Sequence, residues 1–154
     1  MVEKGQKAPA ITLNDQDGKK ISLNDFKGKN IILYFYPKDN TSGCTLEACN
    51  FRDDFPKFSN MKVVILGVSP DSVESHKKFA VKYNLSFRLL SDEKKSILKK
   101  YGVWKEKSMY GRKYMGVERS TFVIDKTSKI RKIFRKVKVA DHNKEVMEVL
   151  EELK

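Results

Sequence analysis

The sequence predicts an α/β fold in which a mixed central β-sheet is flanked by helices. Two apolar segments of strand length, "NIILYFY" (30–36) and "KVVILGVS" (62–69), alternate with longer segments of helical periodicity. This pattern is typical of parallel strands that are buried on both faces. Toward the end of the chain, "STFVID" and "KIRKIFRKV" flank the short segment "KTS", which predicts an antiparallel hairpin beside the parallel strands.

The first half of the chain supplies three further elements. "APAITLNDQDGKKISL" contains an Asp–Gly turn between two short alternating segments, which predicts an N-terminal β-hairpin extension. Pro37 ends the first buried strand, and a helix is expected from about Ser42 to Phe58. A second helix is expected to begin at Pro70, with Ser69 as its N-cap.

The second half completes the order. "SFRLL" (86–90) predicts a short strand, and "EKKSILKKYG" (93–102) predicts a short helix closed by Gly102. Trp104 and Tyr110 are expected in a loop, where packing against the sheet is favoured over forming the wall of a pocket. The final segment carries apolar residues at helical spacing: Val146, Val149, Leu150 and Leu153. This order of elements resembles that of thioredoxin, and residues 1–154 are expected to form one domain.

The composition excludes several classes of protein. Hydrophobic residues make up 40% of the 154-residue chain, and its formal net charge is +12, so a folded core is expected rather than disorder. The basic residues are spread along the chain without a zinc-finger, phosphate-loop or RNA-binding motif, so no specific nucleic acid is expected as a partner. No apolar segment approaches the roughly 18 residues of a membrane span. The charged start "MVEKGQKAPA" lacks the apolar core of a signal peptide, and a cytoplasmic location is expected.

The two cysteines of the chain, Cys44 and Cys49, fall in the segment "YFYPKDNTSGCTLEAC". Cys44 follows a predicted central strand and lies in the first turn of the next helix, where sites form in open α/β sheets. Unpaired N–H groups and the helix dipole stabilise a thiolate at that position. Thr41 would cap the helix or donate a hydrogen bond to the sulfur, and Gly43 would allow close approach of the backbone. A reactive Cys44 is therefore favoured over a buried, inert thiol.

The spacing of the cysteines restricts what they do together. Cys49 lies five residues after Cys44, which on an α-helix is a rise of about 7.5 Å and a rotation of about 500°. A disulfide needs Cα atoms roughly 4.4–6.8 Å apart, so the thiols either never pair or pair after the first turns unwind. A metal centre is a poor fit, since only His76 and His142 could join the cysteines as ligands. No metal and no cofactor are expected, and His76, among charged neighbours, is expected at the surface.

The segment "YFYPKDNTSGCTLEACNFRD" resembles the active-site segment of peroxiredoxins of the bacterioferritin comigratory protein, or Q-type, subfamily. Pro37, Thr41 and Cys44 match the signature of the family, and Cys49 matches the position of its resolving cysteine. "GVWKEKSMYGRKYMGVERSTFVID" (102–125) is similar to the second block of the family, with Arg119 at the position of its active-site arginine. "GQKAPAITL" and "VILGVSPDSVESHKKF" extend the resemblance over nearly the whole chain.

The resemblance implies an atypical 2-Cys thiol peroxidase with a thioredoxin-like fold. Cys44 would be the peroxidatic thiolate that reduces hydrogen peroxide and organic hydroperoxides and becomes a sulfenic acid. Cys49 would resolve this acid as an intramolecular disulfide after local unwinding of the helix. A thioredoxin- or glutaredoxin-like protein would reduce the disulfide, and because the disulfide is local, a monomer is expected.

The resemblance also implies roles for the residues around the sulfur. Thr41 and the Cys44 N–H would orient the hydroperoxide, and Arg119 would activate the thiol and polarise the O–O bond. Pro37 and Gly43 would shape the substrate pocket. Glu47 would either orient Arg119 or be an exposed helix carboxylate, and the sequence does not decide between the two.

One residue departs from the family pattern, because Ser42 stands where proline is usual. This leaves open how easily the first helical turn unwinds. Two other functions also stay open on the sequence. A thiol–disulfide oxidoreductase acting on proteins would transfer disulfides with little peroxide consumption, although it usually has a CxxC pair. A basic binding or chaperone module would bind in a salt-sensitive way without needing either thiol.

Overall fold

The computed structural model describes residues 2–153. Within these residues the strands are β1 (Thr12–Asn14), β2 (Lys20–Ser22), β3 (Asn30–Phe35), β4 (Val63–Ser69), β5 (Arg88–Ser91), β6 (Trp104–Met109), β7 (Arg112–Val117), β8 (Ser120–Ile124) and β9 (Ile130–Phe134). The α-helices are α1 (Ser42–Asn60), α2 (Val73–Lys82), α3 (Ser96–Lys100) and α4 (His142–Glu152), and a 3-10 helix spans Leu23–Phe26.

The main sheet has seven strands in the order β2-β1-β5-β4-β3-β8-β9. Strands β3, β4 and β5 are parallel to one another, whereas β8 is antiparallel to β3 and β9 is antiparallel to β8. The N-terminal hairpin β1–β2 joins this sheet at its edge, where Asn14 lies opposite Ser91. These pairings confirm the predicted mixed sheet and its N-terminal hairpin.

The sheet separates two apolar cores, because alternate residues of each strand point to opposite faces. On one face, Ile32, Tyr34 and Tyr36 pack with buried side chains of α1, α2 and α4. On the other face, Ile31, Leu33 and Phe35 pack with α3 and with the N-terminal segment. Every residue of β3 is buried, as its continuous apolar sequence predicts. The helices therefore cover both faces, and Cys44 belongs to the core under α1.

The start of α2 differs from the prediction. The N-cap is Ser72, whose hydroxyl accepts a hydrogen bond from the Ser75 N–H at 3.1 Å. Ser69 instead ends β4, and its hydroxyl donates to the Asp71 carboxylate at 2.7 Å. The helix therefore begins three residues later than Pro70 suggested, because Ser69 is already committed to this contact.

The segment before Arg119 is a hairpin and not a loop. Strands β6 and β7 pair with each other outside the main sheet, joined by Tyr110 and Gly111, which both have positive φ, as two-residue hairpin turns require. Trp104 packs against the core at the base of the hairpin. Tyr110 is 99% exposed at the tip, so the expected packing of Tyr110 against the sheet is wrong. Frequent lysine and arginine along both strands conceal the alternation that would have predicted them.

No helix within residues 2–153 is long and apolar enough to cross a membrane.

Candidate active site

Cys44 lies in the first turn of α1, close to the end of the central strand β3. Thr41 occupies the N-cap position with extended backbone dihedral angles, and the first helical hydrogen bond runs from the Thr45 N–H to the Thr41 carbonyl at 2.8 Å. The N–H groups of residues 42–44 precede that bond and point out of the helix end. Cys44 is 1% exposed. Its sulfur is therefore held in a buried position at the positive end of the helix dipole.

Arg119 contacts the sulfur of Cys44 directly. It lies between β7 and β8, and its Nη2 donates to Cys44 Sγ at 3.2 Å. Its Nη1 donates to Glu47 Oε1 at 2.6 Å. Burial lowers the pKa of Arg119, but the charges of Glu47 and Cys44 raise it by more, so the pKa lies above its usual value. One guanidinium, charged at all physiological pH values, thus bridges the thiol and the carboxylate.

Glu47 is a buried carboxylate and not an exposed one. Its side chain is 2% exposed and forms an ion pair with Arg119. Burial raises the pKa of Glu47 to about 7, against the opposing charge and hydrogen bond of Arg119. Its second oxygen, Oε2, has no hydrogen-bond partner among residues 2–153. Of the two interpretations left open by the sequence, the geometry corresponds to contact with Arg119.

Gly43 makes room for the guanidinium. A Cβ atom at this position would lie 3.2 Å from Arg119 Nη2, which is tighter than an ordinary van der Waals contact. A larger residue would therefore require the guanidinium to shift by a few tenths of an ångström. The glycine is therefore adjacent to the contact that defines the site.

Thr41 and Pro37 belong to the segment between β3 and Cys44, and the Thr41 hydroxyl makes no hydrogen bond to the sulfur. The hydroxyl of Thr41 is exposed and donates to the Lys38 carbonyl at 2.9 Å, so within the described residues it neither caps α1 nor binds Cys44. Pro37 is half-buried in the loop that joins β3 to α1. Thr41 has the predicted place at the N-cap, but its hydroxyl points elsewhere in this form of the protein.

Cys49 is half-buried further along α1, and neither thiol takes part in a disulfide. The helix is continuous from Ser42 to Asn60. On an intact helix, five residues separate the two cysteines by about 7.5 Å along the axis. The structure therefore corresponds to the reduced arrangement, in which the two sulfurs are kept apart.

Two further residues near the site are not apparent from the sequence. Lys107 on β6 has a lowered pKa because of burial and of the charge on Arg119, with Cys44 and Glu118 opposing. The hydroxyl of Tyr34 is buried without a hydrogen-bond partner among residues 2–153. Its pKa is raised well above the usual value, first by burial and then by the charges of Glu47 and Cys44. Neither residue stands out in the sequence, since Lys107 is one of many lysines and Tyr34 lies in a continuous apolar strand.

A thiol held against a guanidinium, at the start of a helix that follows a central strand, defines a thiol-dependent enzyme with a thioredoxin-like fold. Comparison with known proteins identifies the family within this class. The sequence matches the AhpC/TSA family over residues 4–133. Peroxiredoxin Bcp of Bacillus subtilis is 51% identical over 152 residues, which cover 99% of this chain and 97% of the relative. Peroxiredoxin Bcp of Escherichia coli K12 is 41% identical over 148 residues, which cover 96% and 95%.

Solved structures give the same result. A mutant of the peroxiredoxin PrxQ of Xylella fastidiosa superposes with a TM-score of 0.93 at 36% identity, covering 99% of this chain and 97% of that one. The bacterioferritin comigratory protein of Xanthomonas campestris superposes with a TM-score of 0.87 at 39% identity, covering 92% and 90%. The chain therefore belongs to the AhpC/TSA family, among peroxiredoxins of the Bcp or Q type. It is a peroxidase that acts on hydroperoxides.

Proposed function

We propose that Cys44 is the peroxidatic cysteine of this peroxidase and Cys49 its resolving cysteine. The observation that carries the proposal is the contact of 3.2 Å between Arg119 Nη2 and Cys44 Sγ, made at the N-terminus of α1. A permanent cation and the unpaired N–H groups of the first helical turn both favour the thiolate over the thiol. Cys49, in contrast, lies further along the helix, beyond its first turn.

In the first step the Cys44 thiolate attacks the terminal oxygen of a hydroperoxide. A sulfur–oxygen bond forms and the O–O bond breaks, which gives the Cys44 sulfenic acid and an alkoxide or hydroxide that takes up a proton. Arg119 and the N–H of Cys44 stabilise the charge that develops on the peroxide oxygens. Glu47 holds Arg119 in place through its bond of 2.6 Å.

The loop before α1 shapes the substrate pocket. Pro37 screens the sulfur from solvent, and Gly43 leaves space for the guanidinium. The hydroxyl of Thr41 donates to the Lys38 carbonyl in the present form. It rotates about its Cα–Cβ bond when a hydroperoxide arrives, and then accepts the hydrogen bond of the substrate O–H.

In the second step the first turns of α1 unwind and bring Cys49 to the sulfenic acid. The Cys49 thiolate attacks the sulfenic sulfur, a disulfide forms, and the hydroxyl leaves as water after protonation. A thioredoxin- or glutaredoxin-like dithiol then reduces the disulfide by thiol exchange. The net charge of +12 favours a reductant with an acidic surface. A monomer in a reducing, cytoplasmic compartment suffices for this cycle, which needs no metal and no cofactor.

Single replacements of the two cysteines test the proposal. In Cys44→Ser, rapid consumption of hydrogen peroxide and of cumene hydroperoxide by the reduced protein should be lost. In Cys49→Ser, one equivalent of peroxide should still be reduced, but turnover with thioredoxin should stop. Fast peroxide consumption by Cys44→Ser, or normal turnover of Cys49→Ser, would contradict the assignment. Reduction of insulin disulfides without peroxide consumption by the wild type would favour a thiol–disulfide oxidoreductase instead.

A further inference from the structure

A second buried polar cluster, outside the site described above, lies where the β3–α1 loop meets α2. The Asp39 carboxylate accepts hydrogen bonds from the Tyr36 hydroxyl at 2.6 Å and from the Ser75 hydroxyl at 2.8 Å. Its Oδ2 is also 2.7 Å from Nδ1 of His76. Asp39 and His76 are 5% and 0% exposed. The expected surface position of His76 is therefore wrong, and its ring is one of the most completely buried polar groups of the described chain.

The protons of this cluster can be assigned from its partners. His76 Nε2 is 3.0 Å from the Leu90 carbonyl, and since a carbonyl only accepts, Nε2 carries a hydrogen. The contact between His76 Nδ1 and Asp39 Oδ2 needs one further shared proton. With that proton the pair has no net charge, so its burial is compensated. Removing one partner would leave the other polar group buried without compensation.

The cluster is complete without a metal ion. Asp39, Asp71 and His76 bring potential ligand atoms within 4.8 Å of one another. However, both ring nitrogens of His76 already have hydrogen-bond partners, and the Asp71 carboxylate accepts from the Asp39 N–H at 2.8 Å and from the Ser69 hydroxyl at 2.7 Å. A cation would have to replace these hydrogen bonds. The cluster is therefore interpreted as a structural one, which fixes the backbone around it.

The cluster fixes the segment that leads into α1, the helix that carries Cys44. Asp39 is fixed through its backbone N–H by Asp71, and through its carboxylate by the residue that follows β3 and by residues of α2. The next residue, Asn40, has a positive φ of 64°, and Thr41 after it is the N-cap of α1. A fixed residue is thus followed by a sharp bend and then by the turn that carries Cys44.

We propose that Asp39 and His76 are positioning residues for Cys44, which fix the chain up to residue 39 while the segment from Asn40 onward changes between a helical and an unwound form. The inference rests on the proposed roles of Cys44 and Cys49. In the helical form, the position of the first turn of α1 is determined by the fixed position of Asp39. In the unwound form, the conformation of the chain beyond Asn40 no longer depends on the position of Asp39. Asp39 and His76 together are called the anchor below. Loosening the anchor therefore destabilises the helical form selectively.

The two steps of the reaction then respond in opposite directions. Peroxide attack needs the intact first turn, so a loosened anchor slows it. Disulfide formation needs the unwound segment, so a loosened anchor accelerates it. A residue that merely stabilises the fold would not separate the two steps in this way, because general destabilisation does not make one step faster and the other slower.

Two replacements of His76 separate its two contacts. The amide nitrogen of asparagine lies as many bonds from Cα as Nδ1 of histidine, so His76→Asn keeps a donor for Asp39 and loses the contact with Leu90. The amide nitrogen of glutamine lies as many bonds away as Nε2, so His76→Gln keeps the contact with Leu90 and loses the donor for Asp39. The rate constant of peroxide attack is measured in the Cys49→Ser background by stopped flow. The rate constant of disulfide formation is measured with both cysteines present, by rapid quench and mass spectrometry.

In His76→Gln, peroxide attack should slow and disulfide formation should accelerate, with the ratio of the two rate constants shifting by about tenfold or more. In His76→Asn, that ratio should stay close to the wild-type value. Asp92→Asn is the matched control, because Asp92 is equally buried but accepts from the Leu98 N–H at 2.8 Å, in α3. A shift in His76→Asn as large as in His76→Gln, or the same shift in Asp92→Asn, would overturn the inference.

Hydrogen–deuterium exchange on the wild type gives a test that needs no variant. The Asp39 amide donates to Asp71, and the Thr45 amide donates to the Thr41 carbonyl. On oxidation by one equivalent of peroxide, exchange at Thr45 should become fast while exchange at Asp39 stays slow. Fast exchange at Asp39 in the oxidised form would overturn the anchor. If the wild type forms no disulfide between Cys44 and Cys49, the proposed function fails as well, whereas a disulfide with unshifted variants refutes the anchor alone.

Discussion

At the scale of single residues, Arg119 makes the contact on which the proposed chemistry depends. Its guanidinium donates to Cys44 Sγ at 3.2 Å and to Glu47 Oε1 at 2.6 Å. The planar group, with several N–H donors in fixed directions, can satisfy both acceptors at once, which a lysine ammonium on a flexible chain does less well. Gly43 and the buried Glu47 keep it in this position.

Arg119→Ala should slow the reaction of Cys44 with peroxide by about 100- to 1000-fold, the usual effect of removing one donor to a developing charge. It should also slow the alkylation of Cys44 by iodoacetamide, because the cation that contacts the sulfur is removed. Stopped-flow kinetics and mass spectrometry measure the two effects. Arg135→Ala is the control, since this half-buried arginine contacts Glu118 and the Gly102 carbonyl instead. Unchanged rates in Arg119→Ala would remove the residue from the mechanism.

Glu47 should make the stability of the reduced protein depend on pH. Burial raises its pKa from 4.5 to about 7, so the folded protein binds this proton more tightly than the unfolded chain does. The stabilisation is present below about pH 4.5 and is lost as pH rises to about 7, at a cost on the order of 3 kcal/mol. In Glu47→Gln this loss between pH 4.5 and about pH 7 should disappear from urea denaturation curves. Glu74→Gln, at an exposed position on α2, should keep the wild-type pH dependence, and equal slopes in all three proteins would refute the effect.

At the scale of elements, α1 has to exist in two forms if Cys44 and Cys49 are to bond. Its first two turns hold Cys44, Glu47 and Ala48 in the core, so unwinding exposes buried groups and costs free energy. The family pattern usually has proline where this chain has Ser42. Thr41 has φ −85° and ψ 154°, the extended region that a residue before proline prefers.

Ser42→Pro should therefore fit the folded helix at its first position and restrict the unwound chain. We expect disulfide formation to slow by about two- to fivefold, as the usual effect of such a proline on stability suggests, and over-oxidation at high peroxide to increase. Rapid quench with mass spectrometry measures both. Ser42→Ala separates the loss of the hydroxyl from the effect of the ring. Faster disulfide formation in Ser42→Pro would contradict the view that unwinding of the first turn limits this step.

Elements with strong local signals were predictable from the sequence. The buried strand Asn30–Phe35 and the start of α1 follow from a continuous apolar segment, from Pro37 and from the polar residues after it. The hairpin β6–β7 was missed because lysine and arginine occupy many of its positions, so no apolar face marks it. His76 was misplaced because its neighbours are polar, and its partner Asp39 lies 37 residues earlier in the chain.

At the scale of the whole molecule, the site depends on contacts between distant parts of the chain. Arg119 and Cys44 are 75 residues apart, and no local pattern in the sequence connects them. The antiparallel pairing of β8 with the central strand β3 places Phe35 opposite Ser120, which brings Arg119 to the end of β3 where α1 begins. Only the resemblance to a family could indicate this arginine in advance, because the local sequence around either residue does not show which strands will pair.

The net positive charge is also a property of the whole molecule. The net charge of +12 disfavours close contact between two copies of the chain through like-charge repulsion. A disulfide within one chain is compatible with this repulsion, whereas a disulfide between two chains would have to overcome it. The charge therefore supports the proposal that the disulfide forms within a single copy.

Mapping the disulfide after one turnover tests the central claim most directly. The reduced protein is treated with one equivalent of hydrogen peroxide, quenched by alkylation, digested without reductant and analysed by mass spectrometry. The account predicts one peptide pair in which Cys44 and Cys49 of the same chain are joined, recovered from protein that remains monomeric. Disulfide-linked dimers, or Cys44 oxidised while Cys49 remains free for alkylation, would contradict it.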